Sequence, residues 1–179
     1  MGCGDPQSAV AATHRSKVSS GSFDIGLPDQ YRRNGVYTKF ANSHGVYLVS
    51  AHRMLVALAA ECTSDKHSTS VVRWEPEVGI FRCPICSAKY TRDGLNRGTS
   101  QTSRPLERCR IRASGKIYDR DTTLVVDPGK RFRQEEQEWS KHTSFFPLED
   151  IVRSRDEKEA IRLENARIME KPPLLRHKD

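Results

Sequence analysis

The sequence predicts an all-β domain: an antiparallel β-barrel or sandwich with a small metal-binding subdomain, followed by a C-terminal helical tail. Three observations predict it. Short apolar runs alternate with turn signals from residue 23 to about 132. Two ligand-type pairs, Cys62-x4-His67 and Cys83-x2-Cys86, stand on either side of an apolar run. Beyond Pro147 the composition shifts to Glu, Lys, Arg and Ala with few glycines.

Residues 1–22 are small and polar and read as a disordered tail. Residues 23–132 form the β domain. Its turn signals are Asn34-Gly35, His44-Gly45, Asp93-Gly94, Ser114-Gly115 and Asp127-Pro128-Gly129. Val36-Tyr37-Thr38-Lys39-Phe40 and Leu124-Val125-Val126 read as strands between them. Cys109, after Pro105-Leu106, falls on a strand and reads as a small core residue. Residues 133–179 form a charged helical extension. Its apolar positions, Ile151, Ile161, Leu163 and Met169 among them, make no clean stripe. Charges such as Glu157 and Glu159 near Arg162 suit a solvated helix, ended by Lys171-Pro172-Pro173. That helix either anchors a partner or lies on its own barrel.

The four ligand-type residues carry the chemistry. A Cys-x2-Cys knuckle aims two sulfurs at one ion, and Pro84 stiffens it by fixing a backbone dihedral. Cys62 and His67 supply a second pair, which completes tetrahedral coordination. On spacing alone the quartet reads as a zinc or iron–sulfur site, with zinc leading.

The flanking order sharpens this. Leu55-Val56-Ala57-Leu58, Glu61-Cys62-Thr63, Val71-Val72-Arg73-Trp74, Phe81-Arg82-Cys83-Pro84, Tyr90-Thr91-Arg92-Asp93-Gly94 and Arg104-Pro105-Leu106-Glu107-Arg108 follow one another in sequence. This succession resembles the Rieske family of [2Fe–2S] proteins over about residues 23–132. The resemblance implies a Rieske-like fold with two ligand loops, 62–67 and 83–86, at one tip. In that family each loop contributes one cysteine and one histidine to a two-iron cluster. Cys62 and Cys83 match the cysteines. The first histidine position holds Ser64 when counted from Cys62, or His67 when counted back from Trp74. The second holds Cys86.

By resemblance, Tyr90 matches a tyrosine that hydrogen-bonds to sulfur. The matching serine position holds Ala88, with Ser87 one residue early. A cysteine in place of one histidine, and one lost donor, imply a lower potential than is usual for the family. The disulfide that joins the loops in quinol-oxidising members has no counterpart, because its second-loop position is Ile85.

The resemblance implies an electron-transfer protein with a modified Rieske-type [2Fe–2S] cluster, as a peripheral subunit of a respiratory quinol–cytochrome c reductase-like complex. Two alternatives stand beside it. One is a redox-inactive Rieske-fold structural subunit with zinc or no metal. The other is the soluble ferredoxin component of an oxygenase. The partner would be a redox protein or the membrane cytochrome subunits of a complex.

Composition limits the other classes. The 179 residues suffice for one core, and 36% hydrophobic against 30% charged residues is globular but polar. No run approaches the length of a transmembrane helix, and the first twenty residues hold no apolar signal-peptide segment. The expected location is the cytoplasm or the cytoplasmic membrane face. Met1-Gly2-Cys3 is a weak acylation signal because position 6 is Pro6. The net charge of +7 is dispersed among acids, which fits an acidic partner or membrane surface better than nucleic acid.

Overall fold

The computed structural model describes residues 21–65, 67, 70–98, 104–117, 119–148, 156–164 and 166. Residues 1–20 of the predicted N-terminal tail and about half of the predicted C-terminal helix lie outside the described residues. Among the described residues, ten strands form two antiparallel sheets. The large sheet contains β1 (Phe23–Gly26), β2 (Gly35–Tyr37), β3 (Val46–Ala51), β4 (Met54–Ala59), β8 (Arg108–Ala113), β9 (Leu124–Phe132) and β10 (Phe146–Pro147). Its order is β1-β9-β8-β4-β3-β2, with β10 also pairing β4. The small sheet is β5 (Arg73–Glu75), β6 (Ile80–Arg82) and β7 (Lys89–Thr91), in that order. The all-β class is therefore the one the sequence predicts.

The centre of the large sheet explains itself from its residues. β3 and β4 are nearly continuous apolar runs because both of their faces are covered. Val46, Leu48, Leu55, Ala57 and Ala59 enter one core, with Ile111, Leu124, Val126 and Phe146. The alternate residues Tyr47, Val49, Val56, Leu58 and Ala60 enter a second, with Val72, Phe81, Tyr90 and Leu106. The period of two along a strand thus divides one hydrophobic sequence between two cores. The second core joins the small sheet to the large one, and it holds Cys62 and Cys83.

The turn signals have mixed outcomes. Gly45 caps the short helix α1 (Ala41–His44) in the left-handed region at φ 63°. Gly94 turns at φ 87° after β7, its N–H donating to the Thr91 carbonyl at 2.9 Å. Asp127-Pro128-Gly129, predicted as a turn, lies inside β9 instead. There the register jumps: Cys109 faces Arg131 while Arg110 faces Asp127. The Asp127 carboxylate accepts the Gly129 N–H at 3.0 Å, so the kink is satisfied within a bulged strand.

The chain returns to the large sheet beyond residue 132. Residues 138–140 form a single 3-10 turn, and Phe146 and Pro147 return to pair with Leu55 and Met54. Helix is found at residues 156–164, where Asp156 contacts Arg32 at 3.3 Å and Glu159 pairs with Arg120. No helix among the described residues is long and apolar enough to cross a membrane.

Candidate metal centre

Two loops build the site. The first leaves β4 and is pinched shut at its base. Glu61 and Val71 form a β-bridge, and Cys62 N–H donates to the Ser70 carbonyl at 2.8 Å. Val72 N–H donates to Ala60 at 2.8 Å, and the Tyr47 hydroxyl donates to the Val72 carbonyl at 2.9 Å. The second loop joins β6 to β7. It closes through Cys83 N–H to Ala88 at 2.9 Å and Ser87 N–H to Cys83 at 3.0 Å. Ser87 holds the left-handed conformation (φ 58°) that lets the knuckle turn.

The ligand atoms of Cys62, His67, Cys83 and Cys86 all lie within 4.8 Å of one another. Cys62 Sγ is 3.7 Å from Cys86 Sγ, and His67 Nε2 is 3.3 Å from Cys83 Sγ. The first loop therefore brings His67 to the cysteine sulfurs. Ser64 is buried nearby, and its backbone N–H is one of the groups that favour the Cys62 thiolate. The Nδ1 atom of His67 is buried and has no hydrogen-bond partner among the described residues.

These distances discriminate between metal groups. Around a single ion with bonds of about 2.3 Å to sulfur and about 2.0 Å to nitrogen, tetrahedral donors stand roughly 3.5–3.8 Å apart. The sulfur pair, at 3.7 Å, falls in that range, and the sulfur–imidazole pair, at 3.3 Å, is slightly closer. A two-iron cluster places a second metal and bridging sulfides between its two ligand pairs, which then stand on the order of 5–6 Å apart. The whole quartet lies within 4.8 Å, wider than one tetrahedral ion needs and narrower than a two-iron cluster needs, so the two close pairs are what favour a single ion.

The surroundings stabilise sulfur. The Tyr90 hydroxyl is 3.3 Å from Cys62 Sγ, 3.2 Å from Thr63 Oγ1 and 3.3 Å from Thr63 N–H, whose proton it accepts. The Thr63 hydroxyl donates to the Arg104 carbonyl. The tyrosine proton is therefore left for sulfur or Thr63 Oγ1, and a thiolate would take it by charge assistance. Burial above all, then Cys62, pushes Tyr90 well above the ordinary phenol range, so it stays a donor.

Ser70 Oγ lies 3.4 Å from Cys83 Sγ. This contact is absent from the sequence reading, which looked for a serine after the second loop. Ser87 is exposed there and Ala88 buried. Burial would raise Cys83, but the Cys86 and Ile85 N–H groups, Ser70 and Cys86 itself bring it down to about 6. Burial pushes Cys62 up to about 11 against the pull of Tyr90 and Ser64. A bound cation would displace the Cys62 proton and hold Cys83 as the thiolate.

Cys109 lies apart, fully buried on β8. Among the described residues the four cysteines are all free thiols.

No protein-family model matches this chain, and no curated protein matches it. Among solved structures, one similar chain comes from a complex of reduced oxygenase and oxidized ferredoxin in carbazole 1,9a-dioxygenase. It is 10% identical, with 63% of this chain and 97% of that chain covered, at a TM-score of 0.38.

Proposed function

We propose that this chain is a Rieske-like β domain whose Cys62, His67, Cys83 and Cys86 hold one tetrahedral ion, with zinc the best fit, and that the ion locks the small sheet as a structural unit of a larger assembly. The observation that carries this reading is the closeness of donors that a Rieske-type cluster would place on different irons: Cys62 Sγ stands 3.7 Å from Cys86 Sγ, and Cys83 Sγ 3.3 Å from His67 Nε2. Three thiolates and one imidazole are a donor set that suits zinc. The small sheet has three strands of three residues each, and its two ligand loops gain from support beyond its packing in the second core. The ion would supply that support.

A second reading is favoured by one specific feature. Tyr90 and Ser70 place hydroxyl groups against two ligand sulfurs, a means by which iron–sulfur proteins tune their potential. In that reading the chain transfers single electrons through a modified [2Fe–2S] centre. Its partner would be the membrane subunits of a cytochrome bc-type complex, or an oxygenase that it serves as ferredoxin.

Metal analysis with visible and EPR spectra on anaerobically purified protein decides between them. One zinc per chain in a colourless protein is the expected result. Two irons with acid-labile sulfide and a rhombic reduced signal would replace the structural reading with the electron-carrier one.

A further inference from the structure

The three ligand cysteines differ in what reaches them. Cys62 and Cys83 are buried, and each has a hydroxyl against its sulfur, Tyr90 at 3.3 Å and Ser70 at 3.4 Å. Cys86 is half-buried, and its neighbours Pro84, Ile85 and Ser87 are exposed. Solvent therefore meets the three sulfur ligands first at Cys86. Oxidation of thiols follows thiolate character and access, and a metal-bound cysteine is already a thiolate.

The second observation is the sulfur beside it. Cys62 Sγ stands 3.7 Å from Cys86 Sγ. Sulfurs bond at about 2.0 Å, so this pair has less than about 2 Å to close. Cys83 Sγ has His67 Nε2 at 3.3 Å and Ser70 Oγ at 3.4 Å as its own neighbours. Cys62 precedes β5 and Cys86 lies between β6 and β7. A bond between them joins the two ligand loops, as the ion does. It also takes two of the four donors away, and Cys83 with His67 alone is too small a set to hold a tetrahedral ion.

We propose that Cys86 is a peroxide-reactive site, and that its oxidation releases the ion by linking Cys86 to Cys62. The release rests on the single-ion reading above. The Cys86 thiolate attacks one oxygen of hydrogen peroxide. The O–O bond breaks, the sulfur becomes a sulfenic acid, and hydroxide leaves and is protonated to water. The Cys62 thiolate then attacks that sulfur. The S–O bond breaks, the disulfide forms, and a second hydroxide leaves and is protonated to water. Together the steps consume one peroxide and two protons and remove two electrons from the thiolate pair. They give one disulfide, two waters and a zinc ion of unchanged charge. A dithiol reductant reverses the bond and restores the donor set.

The full chain carrying Cys3→Ser, zinc-loaded and separately chelator-stripped, would be treated with equimolar hydrogen peroxide. A chromophoric indicator reads zinc release, and non-reducing peptide mapping by mass spectrometry reads the linked pair. The expected result is one zinc released per Cys62–Cys86 disulfide, with zinc taken up again after dithiothreitol. In the stripped chain Cys83→Ser should leave formation of that disulfide unchanged. Zinc kept with all thiols reduced, a sulfinic acid at Cys86 without a disulfide, or Cys83 as a member of the linked pair would each overturn the proposal. If the chain holds no zinc, the peptide map of the stripped protein decides. A Cys62–Cys86 bond there upholds the reactive pair, and the failure falls on the single-ion reading.

Discussion

Tyr90→Phe isolates one oxygen atom at the metal centre. Tyr90 is fully buried, and its ring packs in the second core with Phe81 and Leu58, so removing the hydroxyl leaves that packing intact. What is lost is polar. The Thr63 N–H, 3.3 Å from the hydroxyl, loses its acceptor, and Cys62 Sγ loses a donor at 3.3 Å. An unsatisfied buried N–H costs about 1–3 kcal/mol, and Thr63 is only partly buried, so about 1–2 kcal/mol is the expected loss. The sulfur effect appears in metal affinity. Without its donor the Cys62 thiolate is less favoured, and an outer hydrogen bond to a ligand is worth about 10–100-fold in affinity. Urea unfolding of the loaded protein measures the first effect, and competition with a chromophoric chelator the second. Unchanged unfolding and unchanged metal affinity in Tyr90→Phe would refute the hydrogen-bond argument.

Other outcomes follow from the same geometry. Cys86→Ser and His67→Ala should each abolish stoichiometric metal, whereas Cys109→Ser should leave metal content at one equivalent by elemental analysis. Gly94→Ala should destabilise by about 2 kcal/mol in urea, since φ is 87° and a Cβ would lie 3.1 Å from Leu58 Cδ2. Burial, the main cause, pushes Cys109 up to about 12, so it stays a neutral thiol at pH 8. It should therefore resist iodoacetamide there until the protein is unfolded, as read by mass spectrometry. Phe81→Ala, at a fully buried site between Tyr47 and Trp74, should cost about 3–5 kcal/mol of stability in the same urea assay.

The sequence made the strands of the centre and the ligand quartet legible for different reasons. β3 and β4 are readable because a strand buried on both faces must be apolar throughout. Cys62, Cys83 and Cys86 are readable because a knuckle's spacing is local. His67 is legible as a ligand-type residue, but its approach to the sulfurs is not, since that depends on how the first loop closes once Glu61 and Val71 have bridged. Ser70 was missed for the same reason: its hydroxyl reaches Cys83 only after Cys62 N–H has tied down the Ser70 carbonyl. β10 was missed because two residues ending in proline carry no strand signal; their place is set by β4. The bulge in β9 read as a turn because Asp-Pro-Gly has the same local chemistry in either setting.

The register also orders events during synthesis. Phe23 pairs with Val126, so the large sheet cannot acquire its β1 edge until about a hundred further residues have emerged, a non-local closure that slows folding. The two metal loops and all of the small sheet lie between residues 62 and 91. They are complete before β8 or β9 leaves the ribosome. A metal captured at that stage would hand the rest of the chain a preformed platform, so the last part of the sequence to be made would close on a centre already assembled.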